Sequence, residues 1–217
     1  MAGEEPLFDA TRKALRFALN YHLSIPATPV SRIMADGKVQ KLELADGSHI
    51  IVAASKGPPR NASLRGLDGA GTAGIILRQL TLLPHPQQLV LMGSSMTAIL
   101  PCSCRAPCCS GEKANPPWRR VVWQLCEYLK EEAQLSRIKG KKGLSTSPML
   151  REALVEKFFL PKRRLVLSEL AARCGVTEQT VIAHRRPIVT FLEKQEQAGW
   201  RDLDVTLSDL GIVGTIT

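Results

Sequence analysis

Apolar residues recur at helical spacing over most of the chain. In residues 7–22, Leu7, Leu15, Phe17, Ala18 and Tyr21 predict a first helix, and Pro26, Pro29 and Gly37 break the pattern. Residues 39–55 alternate instead, around Ala45-Asp46-Gly47-Ser48, and predict a β-hairpin turning on Asp-Gly. From Leu64 to Met92 the helical period returns, with Asp68 as a candidate N-cap and Pro84 and Pro86 dividing two segments. Residues 101–117, rich in proline and cysteine, read as a boundary. Past it, Asn115 can cap, Pro116 suits the first helical position, and Trp118, Val121, Val122, Leu125, Cys126 and Leu129 form one apolar stripe. Residues 134–146 read as a basic linker. Ser147 and Pro148 then open a helix with Leu150, Ala153, Leu154 and Phe158 inward.

The expected fold is therefore mainly α. A mixed N-terminal half carries helices and a β-hairpin, and an all-helical C-terminal half follows. The division is residues 1–100, the Cys/Pro-rich boundary 101–117, and a helical domain over 118–217. In the last of these, residues 167–186 carry the sharpest pattern. Two short helices that cross closely need a small residue at the contact, which Ala171 supplies. The turn between them needs a residue that tolerates positive φ, which Gly175 supplies. Leu170, Cys174, Val176 and Val181 take the inward positions. Thr177 can cap the second helix, and Glu178 suits its positive end or could select cytosine. This is the order of a helix-turn-helix.

The outward positions of the second helix then become candidates for base contact. Gln179 has the paired donor and acceptor that adenine matches, and Ile182 and Ala183 suit a thymine methyl. Thr177 and Thr180 flank them. Arg185 and Arg186, with Lys162, Arg163 and Arg164 upstream, are the candidate phosphate contacts. His184 falls near the inward face and reads as a core histidine. Pro187 removes a helical hydrogen bond, so the second helix is expected to stop or kink there. An amphipathic stretch from Ile188 runs to Gly199, and the apolar Leu203, Val205, Leu207, Leu210, Ile212 and Val213 could serve a homodimer or the chain's own core.

Charge agrees with an anionic partner. The chain carries 29 Lys and Arg against 20 Asp and Glu, a formal net of +9. Residues 137–164 hold nine bases and two acids, so +7 lies just before the helix-turn-helix. That placement narrows the partner to double-stranded DNA. No apolar run approaches the roughly 18 residues that a membrane span requires, and the start lacks a secretory h-region. A cytoplasmic, reducing location is expected, in which cysteines serve as thiols or metal ligands.

Four of the six cysteines, Cys102, Cys104, Cys108 and Cys109, crowd into eight residues. A structural Zn²⁺ would hold such thiolates together. Adjacent side chains at 108 and 109 tend to point apart, so one ion could take three of the four, with Cys126 or His85 completing it. Reduced, partly buried thiols are the alternative. Gly69-Ala70-Gly71-Thr72-Ala73-Gly74 matches the dinucleotide-binding spacing, but no strand leads into it, so it reads as a helix start rich in small residues.

From Arg151 to Leu192 the chain resembles the promoter-reading region 4 of bacterial sigma factors, where a helix ending in paired aromatics precedes a helix-turn-helix of this composition. It is also similar to the Q-type antiterminators of bacteriophages, some of which add a cysteine-rich zinc element. The resemblance implies a phage or prophage transcription regulator, with Gln179, Thr180, Arg185 and Arg186 on its recognition helix and RNA polymerase as a possible partner. A DNA-packaging or replication-initiation subunit would use the same motif. An enzyme is not expected: a nuclease needs clustered carboxylates, and a recombinase needs a tyrosine beside Arg and His, neither of which the sequence offers.

Overall fold

The computed structural model describes residues 6–24, 39–43, 49–53, 67–102, 111–131, 148–161 and 166–214. Among the described residues, seven helices and two short hairpins form the regular structure: α1 (Thr11–Ser24), β1 (Val39–Glu43), β2 (His49–Ala53), α2 (Leu67–Leu82), α3 (His85–Ser95), β3 (Ile99–Pro101), β4 (Glu112–Ala114), α4 (Pro116–Glu131), α5 (Pro148–Phe159), α6 (Leu167–Cys174) and α7 (Glu178–Asp209). The fold is mainly α, as the periodicity predicts. β1 and β2 pair antiparallel from Val39↔Ala53 to Glu43↔His49, the expected hairpin, while its Asp-Gly turn lies outside the described residues. α2 begins at Leu67, so Asp68 stands inside the first turn rather than ahead of it, and residues 69–74 are helical throughout.

Two apolar cores organise the described residues, and one of them joins the first helix to the end of the last. One gathers Ala14, Leu15, Ala18 and Leu19 of α1, Ala73, Ile76 and Leu80 of α2, and Trp200, Leu203 and Leu207 of α7. The other gathers the α4 stripe, Leu150, Leu154 and Val155 of α5, Leu170 and Ala171 of α6, and Val181, Ile188 and Leu192 of α7. All six stripe residues of α4 are buried as their spacing requires. In α5, Leu150 and Leu154 are buried, and Ala153 and Phe158 pack at the edge. α3 serves both cores, giving Leu89 and Val90 to one and Leu91 to the other.

The 32 residues of α7 make the join. At 1.5 Å per residue the helix is about 48 Å long. It passes through Pro187 and Gly199 as one helix, so of the stop or kink expected at the proline the stop does not occur. Pro187 forfeits one backbone hydrogen bond, at roughly 3 kcal/mol in a helix interior. Burial of Val181, Ile188 and Leu192 on the same face offsets that loss. At Gly199 an added Cβ would lie 3.1 Å from Leu91 Cδ1 and 3.3 Å from Gln87 Cβ, so glycine permits the close approach of α3 and α7.

The C-terminal apolar residues divide. Leu203, Leu207, Ile212 and Val213 are buried in the chain's own core, and only Val205 and Leu210 stay exposed. The tail is thereby spent largely on folding rather than on a partner. It is also tied to the N-terminal segment: Phe8 N–H donates to Ile212 O at 3.0 Å and Gly214 N–H to Phe8 O at 3.2 Å. Arg12 lies 5.0 Å above the Trp200 ring beside this junction. Among the described residues, no helix is long and apolar enough to cross a membrane.

Candidate nucleic-acid interface

The helix-turn-helix is built by α6, the turn 175–177 and the start of α7. Gly175 ends α6 with φ 64° and ψ 33°, a left-handed conformation that costs a glycine little. The turn closes through Gly175 N–H to Ala172 O at 3.2 Å and Val176 N–H to Ala171 O at 3.0 Å. Thr177 then caps α7: its Oγ1 accepts from Thr180 N–H at 3.2 Å, and the two hydroxyls are 2.9 Å apart. Glu178 occupies the first turn, where a negative charge meets the positive end of the helix.

Packing fixes which side of α7 is presented. Leu170, Ala171, Val181, His184 and Ile188 are buried, with Cys174 and Val176 at the edge of the same core. Thr177, Gln179, Ala183, Arg185 and Arg186 are exposed, and Ile182 is 54% exposed despite being apolar. Six of the seven positions named on this helix from sequence therefore lie open to solvent. Thr180 is the departure: it is half-buried, with its hydroxyl engaged by Thr177. Lys162, Arg163 and Arg164 lie outside the described residues, as does the basic segment 137–142.

His184 is buried, but only one of its nitrogens has a partner. Nδ1 is 2.7 Å from Thr180 O, and because a carbonyl only accepts, the proton sits on Nδ1. Nε2 is buried with no hydrogen-bond partner among the described residues. Sequence spacing found the inward position and missed the half-satisfied ring. It also missed Arg151, only 4% exposed on α5. Nothing in the local pattern marks that residue, since an arginine among Leu150, Leu154 and Val155 reads as the solvent face. Arg173, exposed in the last turn of α6, adds a cation near the turn that only the three-dimensional arrangement picks out.

The cysteine segment is preceded and followed by the two strands of a second hairpin, a pairing that the local pattern of residues does not predict. Ile99↔Ala114, Leu100↔Lys113 and Pro101↔Glu112 pair antiparallel, and Cys102 N–H donates to Gly111 O at 2.7 Å. The loop thus leaves and re-enters the fold at one point, beside Cys102. Cys104, Cys108 and Cys109 lie outside the described residues. Of the two suggested completing ligands, His85 is exposed at the first turn of α3, and Cys126 is buried in the α4 stripe. Burial, reinforced by the Glu152 carboxylate, pushes the Cys126 thiol up to about 12. No family model, curated protein or solved structure gives a significant match to this chain.

Proposed function

We propose that the chain is a non-enzymatic, sequence-specific binder of double-stranded DNA that regulates transcription. One observation carries the reading. The capped second helix of a helix-turn-helix buries Val181, His184 and Ile188 and presents Gln179, Ile182, Ala183, Arg185 and Arg186 to solvent. That face combines an amide suited to adenine, apolar groups suited to a thymine methyl, and cations for phosphate. The exposure of Ile182 fits a surface that is completed by contact rather than by folding. The resemblance of residues 151–192 to sigma factor region 4 and to phage Q-type antiterminators supports transcription as the process, with RNA polymerase as the second partner. Selection of bound sites from random duplex DNA at two salt concentrations tests the proposal. A common sequence should be enriched, and affinity should fall steeply with salt. Failure to enrich any sequence, with a flat salt response, rejects it.

A structural Zn²⁺ in the loop that Cys102 and Gly111 close belongs to the same proposal, with Cys102, Cys104, Cys108 and Cys109 as its donor set. Native mass spectrometry after zinc-supplemented expression should show one bound ion. A metal-free mass removes the zinc and leaves the DNA reading intact.

A further inference from the structure

The first turn of α7 carries a carboxylate that folding does not use. An acidic side chain at a helix start can serve the free backbone N–H groups there, but Thr177 already does so by accepting from Thr180 N–H at 3.2 Å. Glu178 is exposed and makes no hydrogen bond or ion pair among the described residues. One turn later on the same side stands Ile182, 54% exposed although apolar. Val181 and His184 are buried on the opposite side, so Glu178 and Ile182 belong to the open face of the helix.

Side chains one turn apart have Cβ atoms about 5–6 Å from each other, close enough to converge on neighbouring substituents of one base. An ionised carboxylate only accepts, and the donors in the major groove are cytosine N4 and adenine N6. A branched apolar side chain matches a methyl group, which among the four ordinary bases only thymine has. None of the four offers both. Adenine sets the acceptor N7 beside its amine, and thymine sets O4, which repels a carboxylate, beside its methyl. Cytosine methylated at C5 does offer both, with the N4 amine and the methyl on adjacent ring atoms. We propose that Glu178 and Ile182 together read 5-methylcytosine in duplex DNA, Glu178 accepting from N4–H and Ile182 packing on the C5 methyl. The methyl that Ile182 meets is then that of a modified cytosine rather than of thymine. This specificity rests on α7 being the recognition helix of a DNA-binding protein.

Two random duplex libraries, one built with cytosine and one with 5-methylcytosine throughout, test it on the full chain. The best site from the methylated library should hold a 5-methylcytosine whose replacement by cytosine weakens binding about fourfold or more, the worth of one buried methyl. Replacement by thymine at that position should weaken binding about tenfold, because O4 then meets the carboxylate. Ile182→Ala should bring cytosine and 5-methylcytosine to the same affinity. Glu178→Gln, whose amide can donate to O4, should admit thymine. Both side chains are exposed, so each variant should still bind unrelated duplex. Enriched sites without a methyl-sensitive position overturn the proposal and leave the DNA reading standing. So does thymine bound as tightly as 5-methylcytosine, which would leave Glu178 unused. Failure to enrich any sequence from either library, with a flat salt response, rejects the DNA reading and this specificity with it. If a variant fails to fold, the base replacements measured on the unaltered chain still decide.

Discussion

Gly93 of α3 and Phe159 at the end of α5 meet where no other side chain fits between them. A Cβ on Gly93 would stand 2.6 Å from Phe159 Cε2 and 2.7 Å from Cε1, and closer still to Cζ. The same glycine accepts, through its carbonyl, a hydrogen bond from buried Trp118 Nε1 at 3.0 Å. Phe159 in turn packs edge-on against Trp118 and Phe158. One glycine thus lets three helices close on a shared aromatic cluster. Gly93→Ala should destabilise the fold by about 1–3 kcal/mol through overpacking, outweighing the gain of about 1 kcal/mol in helix propensity. Urea unfolding checks this: the midpoint should fall with the slope unchanged.

The turn of the helix-turn-helix sets a second expectation. Gly175 has φ 64° with nothing within 4 Å of an added Cβ, so Gly175→Ala meets backbone strain and no clash. The cost should be about 1–2 kcal/mol. Thr177→Ala, which deletes the cap, should cost about 1 kcal/mol, while Thr177→Ser should stay close to the parent. Thermal unfolding of the three variants separates strain from capping. An unchanged Thr177→Ala would show that the cap contributes nothing to the start of α7.

On the exposed face, amide and guanidinium variants should fail differently. Gln179→Ala should relax preference at one base pair, by about 1–3 kcal/mol of discrimination. Arg186→Ala should weaken binding to all duplexes alike and lower the salt slope by about one unit. Affinities for the selected site and for single-base variants, measured at several salt concentrations, provide the check. Equal loss on every sequence for both variants would remove Gln179 from base reading.

Cys126 sets an alkaline limit on stability. Its thiol is pushed up to about 12 in the folded chain by burial, with the Glu152 charge as the second cause. In the unfolded chain it ionises near 8.5–9. Between those values the unfolded state alone gives up the proton, so stability is intact below about pH 9 and falls as pH rises towards 12. Cys126→Ala should flatten that limb of the stability–pH curve. In the native protein at pH 8 a thiol reagent should leave Cys126 unlabelled, and denaturant should expose it. Rapid native labelling of Cys126 would contradict its burial.

Features that depend on neighbours within a few turns of helix can be read from the residues alone. The α4 stripe, the glycine turn at 175, the threonine cap at 177 and the outward set from Gln179 to Arg186 were legible because each rests on local backbone geometry or on 3.6-residue periodicity. Where local and distant effects compete, the local reading fell short. Pro187 and Gly199 both argue for breaks, yet α7 continues, because the buried residues on either side of Pro187 hold the helix and Leu91 packs against Gly199. Leu203, Leu207, Ile212 and Val213 are apolar whether they cover a partner or their own chain. Only the tertiary fold assigned them to the core with α1 and α2. Arg151 and the second nitrogen of His184 were invisible for the same reason: burial belongs to the surroundings, not to the residue. Local periodicity is therefore enough to say which face of α7 points outward. That this helix runs on into the core formed with α1 and α2 depends on contacts far apart in the chain, which only the folded arrangement supplies.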